Sequence, residues 1–171
     1  MISENCESVR IYVKRLSQES VIPSYAHEYD AGLDLYASQN VYILPGETKL
    51  IPTGLALAIP DGYEAQIRPR SGISLRTMLR IPNSPGTIDS GYRDELCIIM
   101  HNASFMFSET EKNLQLNLDE KANRHGTYLV RSGDKIAQIV FAKVAHAKIL
   151  EVQSLDGIGE NRMGGFGSTG V

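Results

Sequence analysis

The chain has 171 residues, of which 42% are hydrophobic and 22% charged, and this composition is typical of one globular domain. Its formal net charge of −3 argues against a general nucleic-acid coat and against a protein that binds anionic membranes. We therefore expect neither a nucleic acid nor a membrane among its partners.

The N-terminal residues 1–10 lack the basic region and the apolar stretch of a secretory signal, and no apolar run approaches the length of a membrane span. This pattern predicts an intracellular, cytoplasmic protein. The two cysteines, Cys6 and Cys97, have neither metal-ligand spacing nor the pattern of a disulfide framework. Because Cys97 lies in the apolar run 96–100, we expect it to be a reduced, buried thiol.

Short apolar stretches with alternating or β-branched residues recur along the chain, separated by turns rich in Pro, Gly, Asn and Asp. About ten strands at this spacing predict an all-β sandwich, jelly roll or barrel. One short helix is predicted over residues 74–79, and no long 3.6-residue period competes with the strands. The predicted strands cover residues 9–16, 33–37, 41–44, 48–52, 54–59, 63–68, 95–100, 114–118, 127–130, 136–144 and 147–152.

The segment 105–125 is rich in Glu, Lys, Asn and Ser, and we interpret it as a mobile hairpin excursion inserted in the sheet. No linker divides the rest of the chain. We therefore predict one β domain over residues 1–159, followed by a mobile C-terminal strap over residues 160–171.

The strap places glycines on both sides of Phe166, a pattern that cannot form a hydrophobic core but can lie flat over a ligand. The ring of Phe166 can stack on a planar group, while backbone N–H groups and the hydroxyls of Ser168 and Thr169 can surround an anion. Arg162 adds a fixed positive charge suited to phosphate. The alternative is a disordered glycine-rich terminus without a role.

Two further segments combine charge with close backbone approach. Asp34 is flanked by apolar residues, so a buried carboxylate there requires a cation, backbone donors or metal-bound water, unless it is an Asx-type turn residue. Arg70 and Ser71 stand beside Gly72, an arrangement that suits phosphate oxygens, although a surface turn explains each residue singly.

The segment 83–95 combines a Pro-Gly turn with a carboxylate, Asp89, and with Tyr92 three residues later. Asp89 could orient and deprotonate a water molecule, and the amide of Asn83 together with hairpin peptide groups could read the edge of a base. The alternative is a plain hairpin turn. Farther along, Gln138 would offer a neutral donor after the turn that begins at Gly133.

Taken together, these segments resemble the trimeric deoxyuridine triphosphatase (dUTPase) family, whose five ordered motifs correspond to residues 31–36, 70–74, 86–95, 133–138 and 162–170. The resemblance extends from about residue 10 to the C-terminus. It implies a distorted β jelly roll (a β-clip barrel) and a homotrimer whose active sites are shared between subunits. It also implies Mg²⁺-assisted hydrolysis of dUTP to dUMP and pyrophosphate, which keeps uracil out of DNA and supplies dUMP for thymidylate synthesis.

The same resemblance implies a role for each matching residue. The residues implied to hold the triphosphate are Arg70, Ser71, Gly72 and Gln138. Those implied to form the uracil pocket are Asn83, Thr87, Ile88, Asp89 and Cys97. Asp89 would position the water that attacks the α-phosphorus, and Tyr92 would lie under the deoxyribose. The residues implied to close the site are Phe166, over the uracil, and Arg162, Gly167, Ser168 and Thr169, around the outer phosphates. Mg²⁺ would be held by the triphosphate without a direct protein ligand, and Asp34 would contact it at most through water.

The chain departs from the family pattern at Asp94, where a glycine is usual, and at Arg162, which lies four rather than five residues before the stacking Phe166. Two alternatives stay open. A dCTP deaminase of the same fold would need a general acid/base, typically Glu, at the cytosine edge. A dUTP-sensing regulatory protein would signal through the 105–125 excursion or through closure of the tail.

Overall fold

The computed structural model describes residues 8–105, 110, 113–120 and 122–161 of the chain. Short strands dominate its secondary structure, and a short helix, α1, covers Ser71–Arg76. The strands are β1 (Tyr12–Arg15), β2 (Leu33–Tyr36), β3 (Val41–Ile43), β4 (Thr48–Pro52), β5 (Leu55–Ala58), β6 (Tyr63–Arg68), β7 (Leu79–Arg80), β8 (Gly86–Ile88), β9 (Cys97–Asn102), β10 (Gln115–Asn117), β11 (Thr127–Val130) and β12 (Lys135–Lys143). The predicted all-β, jelly-roll-like fold is therefore confirmed. No helix in the described part of the chain has the length and apolar character needed to cross a membrane.

The largest sheet has the strand order β2-β12-β6-β8, and all of its neighbouring strands are antiparallel. The central strand β12 brings Gln138 opposite Asp34 of β2 on one side and opposite Arg68 of β6 on the other. On the far side of β6, Ile67 lies opposite Gly86 of β8. This register determines which functional side chains are neighbours.

Three smaller sheets, with the strand orders β4-β9-β7, β10-β11-β3 and β1-β5, complete the molecule. In β9 the buried residues Ile98 and Met100 alternate with the half-buried Cys97 and Ile99, the two-residue period of a strand with one face toward the core. Core side chains come from all four sheets and pack into one cluster; those that are fully buried include Leu35, Ile43, Ile51, Leu55, Ile98, Leu116 and Ile139.

Several element boundaries differ from the predictions. The helix covers residues 71–76 rather than 74–79. It ends before residue 77 because Thr77 is already extended and Leu79 pairs with Asn102 of β9. Strands β7 and β8 were not predicted, since two or three residues carry too little periodicity. The predicted strand 147–152 is wrong: these residues form no strand, and Ile149 is 85% exposed.

The excursion also differs from the predicted hairpin. Strand β10 pairs parallel with β11, whereas a hairpin would be antiparallel. Leu116 at its centre is fully buried, and Leu114 and Leu118 pack against the core. At the start of the segment, the backbone N–H of Phe105 donates to Nδ1 of His125 at 2.9 Å. The described second half of the excursion is therefore part of the folded core.

We expect Leu116→Ala to lower the free energy of unfolding by about 2–4 kcal/mol, because it leaves a cavity in the core. Urea unfolding followed by circular dichroism measures the change. Gln115→Ala, at the exposed neighbouring position of the same strand, is the control and should change stability by less than about 0.5 kcal/mol. Equal effects of both substitutions would contradict a core position for β10.

Candidate active site

A pocket of about 320 Å³ lies between the hairpin around β8 and the start of β9. Its lining includes six of the residues singled out in the sequence: Asn83, Thr87, Ile88, Asp89, Tyr92 and Cys97. The rest of the lining consists of Leu50, Ile67, Gly86, Glu95, Leu96 and Ile99. The structure therefore brings the predicted base-reading residues and the predicted water-positioning carboxylate to one cavity.

At Gly86 the pocket lining is main chain, because glycine has no side chain. A Cβ atom at Gly86 would lie 3.0 Å from Nδ2 of Asn83 and 3.5 Å from Cβ of Ile67. The absence of that atom lets β8 pair closely with β6 while the Asn83 amide stays at the pocket. Because β8 is the edge strand of its sheet, the peptide groups on its outer side are not used in the pairing with β6.

Tyr92 is held in place by the far end of the same hairpin. Its hydroxyl donates to the backbone carbonyl of Glu95 at 2.8 Å, and its backbone N–H donates to the carbonyl of Asp89 at 3.1 Å. The Glu95 carboxylate in turn accepts the N–H of Gly54 at 2.7 Å. Gly54 has a φ of +67°, a left-handed conformation that glycine adopts without strain. These contacts fasten the hairpin to the turn between β4 and β5.

Two groups in the pocket have pKa values above their usual ones. Burial, followed by the negative charge of Asp94, raises the pKa of the Tyr92 hydroxyl. Burial and the Glu95 carboxylate raise the pKa of the Cys97 thiol. Cys97 is therefore a free, protonated thiol in the described structure, but it is half-buried in the pocket wall rather than fully buried as predicted. Cys6 lies outside the described residues.

Asp89 follows β8 directly, and its side chain is exposed to solvent at the edge of the pocket. A solvated carboxylate beside a cavity can accept a hydrogen bond from a water molecule and take up its proton. This geometry fits the role that the sequence predicts for Asp89.

A second group of polar residues gathers around Asp34. One of its carboxylate oxygens accepts from Nε of Arg70 at 2.9 Å, and the other from Nζ of Lys135 at 2.8 Å. The Asp34 side chain is only 8% exposed, so it meets the cations that the sequence argument required. Gln138 lies opposite Asp34 in the sheet, and Ser71 and Gly72 follow Arg70 directly.

The charges in this cluster reinforce one another. Burial raises the pKa of Asp34, but the hydrogen bond from Lys135 and the charges of Arg70 and Lys135 outweigh burial, so its pKa lies below the usual value. The hydrogen bond to Asp34 and its charge raise the pKa of Lys135. Because Arg70 uses Nε on Asp34, the two Nη groups at the end of its fork stay available to phosphate oxygens.

Sequence reasoning gave Lys135 no role. The ammonium group lies 5.7 Å from the ring centroid of Tyr36, the residue opposite Lys135 in β2. The signal available in the sequence was weak: a lysine that opens a strand after a turn is usually solvated. Its approach to Asp34 follows from the register of β12 against β2, which includes an irregularity between Lys135 and Ala137.

The two groups of residues lie apart in a single chain. One row across the sheet contains Asp34, Gln138 and Arg68. Because β6 ends at Arg68, Arg70 follows at the same end of that strand. Asp89 comes after Ile88, which pairs with Ala65 in the middle of β6, and β8 is the edge strand on the other side of the sheet from β2. The level of Asp89 is four residue steps along β6 from the row of Arg68, a distance of about 13 Å along the sheet. The cluster around Asp34 and the pocket that contains Asp89 therefore do not come together within a single chain.

The remaining predicted site residues, Arg162, Phe166, Gly167, Ser168 and Thr169, lie outside the described residues. The division into a β domain and a C-terminal strap stays a prediction for the same reason. Within the described ranges, no group of three or more His, Cys, Asp and Glu side chains could hold a metal ion.

Comparison with known proteins identifies clear relatives. The family model for dUTPase matches residues 18–112, more than half of the chain. The chain is 41% identical to deoxyuridine 5′-triphosphate nucleotidohydrolase of Clostridium kluyveri over 163 residues, which cover 95% of this chain and 99% of the relative. The same enzyme of Clostridioides difficile is 44% identical over 158 residues, which cover 92% of this chain and 96% of the relative.

Two solved structures are similar in fold. A dUTPase of Staphylococcus bacteriophage 80alpha, solved with dUpNHpp, superposes with a TM-score of 0.84 at 32% identity and covers 96% of this chain and 100% of its own. A dUTPase from phage phi11 of S. aureus, described as coordinating a structural Mg(II) ion, gives a TM-score of 0.78 at 30% identity and covers 85% of this chain and 98% of its own.

We expect Asp34→Asn to lower the free energy of unfolding by about 1–2 kcal/mol near neutral pH, because it removes the charge that Arg70 and Lys135 share. The folded-state pKa of Asp34 is depressed, so its contribution is present above about pH 4 and is lost as the pH falls through the folded pKa. The difference between wild type and variant should therefore shrink on acidification, as urea unfolding at several pH values measures. Asp61→Asn, at an exposed turn position, is the control, and a difference that grew toward low pH would contradict the ion-pair account.

Proposed function

This chain belongs to the dUTPase family and hydrolyses dUTP to dUMP and pyrophosphate; we propose here how its own residues perform that reaction. The observation that carries the proposal is the position of Asp89, a solvated carboxylate in the lining of the pocket beside the edge strand β8. In this proposal the pocket takes the base, Tyr92 lies under the sugar, and the Asp34–Arg70 cluster takes the phosphates.

Asp89 holds a water molecule in line with the α-phosphorus and accepts one of its protons. The water oxygen forms a bond to that phosphorus while the bond from the phosphorus to the bridging oxygen breaks, and pyrophosphate leaves with the bonding electron pair. Negative charge moves toward the leaving group, and the free Nη groups of Arg70 are placed to stabilise it. Gln138, Ser71 and Gly72 add uncharged hydrogen bonds to the phosphate oxygens.

Selection of uracil follows from a wall of peptide groups. Their donors and acceptors have fixed positions, so cytosine, which reverses the donor and acceptor at its 4-position, leaves buried groups unpaired; such a mismatch gives discrimination of about 10⁴ or more. The methyl group of thymine would meet the β8 hairpin, which is held against β6 at Gly86 and cannot retreat easily.

A homotrimer with shared sites supplies the convergence that a single chain lacks. Asp34 lies on the edge strand β2 and Asp89 follows the opposite edge strand β8, so a complete site needs the pocket of one subunit and the Asp34–Arg70 cluster of another. The exposed apolar side chains after β12 support such an assembly, because large apolar groups in this number usually mark an interface; they are Ile149, Leu150, Val152, Leu155 and Ile158.

Mg²⁺ fits this site as a companion of the substrate. The described residues offer no cluster of metal ligands, and both Asp34 oxygens already accept from cations, so phosphate oxygens are the natural ligands. When bound to the triphosphate, Mg²⁺ neutralises phosphate charge. Each Asp34 oxygen retains a free lone pair for a water molecule on that ion, which keeps the indirect contact predicted from the sequence possible.

The deaminase alternative finds no support in the pocket. Glu95 is the glutamate in its wall, and one of its carboxylate oxygens accepts the N–H of Gly54, a contact that anchors the hairpin. The regulatory alternative stays a prediction.

We expect the wild-type protein to release pyrophosphate rapidly from dUTP alone among the eight common nucleoside triphosphates. Asp89→Asn should reduce kcat by about 10²- to 10⁴-fold, because the amide cannot take the proton from water, while dUTP binding persists. Pyrophosphate release and calorimetric titration with a non-hydrolysable dUTP analogue measure the two effects. Asp119→Asn, at an exposed position in the excursion, is the matched control and should keep full turnover. Unchanged turnover in Asp89→Asn would overturn the assigned role.

Shared sites predict complementation between two inactive variants. When Asp89→Asn and Arg70→Ala chains are unfolded together and refolded at a 1:1 ratio, about a quarter of the sites receive both native residues, each from a different subunit. Turnover should therefore rise toward that fraction of the wild-type rate. A mixture of Asp89→Asn with Asp89→Ala is the control and should stay inactive. If the first mixture also stays inactive although mixed oligomers form, Asp89 and Arg70 act in the same chain.

A further inference from the structure

The C-terminal end of α1 is held by a residue from the excursion. Nδ2 of Asn123 donates to the carbonyl of Leu75 at 2.8 Å, and the backbone N–H of Asn123 donates to the carbonyl of Arg76 at 3.1 Å. Asn123 has a φ of 47°, a left-handed conformation in which asparagine is one of the better-tolerated residues. One residue thus satisfies the last two carbonyls of the helix.

These carbonyls are groups that a helix cannot satisfy internally, since the last four carbonyls lack a partner in the next turn. The local cap, Thr77, uses its N–H and its hydroxyl on the carbonyl of Ile73, at 3.0 and 2.8 Å. A helix of six residues is too short to be stable by itself. Its position therefore depends on contacts from outside, and Asn123 supplies two of them.

A second contact fixes the chain just after the helix. The hydroxyl of Tyr128 accepts the N–H of Met78 at 3.1 Å and donates to the carbonyl of Arg124 at 2.7 Å. Tyr128 is 1% exposed and belongs to β11, so its hydroxyl is a fixed point. We call Asn123, Arg124 and Tyr128 the α1 clamp.

The other end of α1 carries the residues assigned to the triphosphate. Ser71 and Gly72 begin the helix, and the carbonyl of Arg70 accepts the N–H of Ser74 at 3.0 Å. Nε of Arg76, in the last turn, donates to the carbonyl of Gly72 at 3.1 Å. Six residues span about 9 Å, so a shift at the clamped end displaces the phosphate-facing end directly.

We propose that Asn123 is a positioning residue for the triphosphate part of the site: by capping the last carbonyls of α1, it fixes Arg70, Ser71 and Gly72 against the phosphates. This inference rests on the function proposed above for those three residues. Asn123 belongs to the 105–125 excursion, which no family motif includes. A residue outside the motifs thus contributes to the geometry of substrate binding.

The test is Asn123→Gly, which keeps the left-handed backbone and its N–H bond to Arg76 but removes the side-chain bond to Leu75. Loss of one such hydrogen bond corresponds to about a three- to tenfold loss of affinity, so KM for dUTP should rise by that factor. The inhibition constant of dUMP, which lacks the outer phosphates, should stay within about twofold. Ala122→Gly is the matched control: Ala122 is the exposed neighbour, is also left-handed with a φ of 86°, and should change neither constant.

Three results would overturn the proposal: an unchanged KM in Asn123→Gly, an equal rise of the dUMP constant, or the same rise of KM in Ala122→Gly. If Asn123→Gly does not fold, as judged by thermal unfolding, Tyr128→Phe removes the other part of the α1 clamp and must show the same split between dUTP and dUMP. Wild type and Arg70→Ala are measured first. Failure of wild type to hydrolyse dUTP, or unchanged dUTP affinity in Arg70→Ala, would refute the proposed function itself, so the two failures are distinguishable.

Discussion

The register of β12 against its two neighbours is the constraint on which the arrangement of this molecule depends. It puts Gln138 between Asp34 and Arg68, and it directs the chain beyond Arg68 toward Arg70 and α1. The pairing of β6 with β8 then places Asp89 after the edge strand on the other side of the sheet from β2. A shift by one residue would turn the buried Asp34 toward the other face of the sheet. The two halves of the site are therefore separated by the same hydrogen bonds that hold the sheet together.

Charge in this protein is organised locally rather than globally. The chain carries a net charge of −3, yet Arg70 and Lys135 converge on one buried carboxylate at the place where phosphate is expected. Asp34 both lowers the repulsion between the two cations and orients the guanidinium fork. A compact cationic cluster of this kind can attract a triphosphate without making the whole surface attractive to nucleic acid.

The sequence was sufficient for the bounds of several strands and for the group of hairpin residues that share one pocket, because both are local properties. The bounds of β4, β6 and β11 are as predicted, and Asp89, Asn83 and Tyr92 share one pocket as their spacing in a hairpin suggests. What failed depends on distant parts of the chain. Four of the residues 147–152 are apolar, but the segment finds no strand partner within the described chain, and Lys135 reaches Asp34 only through sheet pairing. The separation of the two clusters likewise follows from register, which no local pattern contains.

The pocket wall at β8 also bears on how this protein can diverge. Thr87 is exposed at the pocket, so its side chain is not packed in the core. At Gly86 an added Cβ would lie 3.0 Å from Nδ2 of Asn83, so the Asn83 amide would have to move to make room for it. Substitutions along this hairpin should therefore differ in effect. A change at Thr87 alters an exposed side chain, whereas a change at Gly86 displaces the Asn83 amide from its place in the pocket lining.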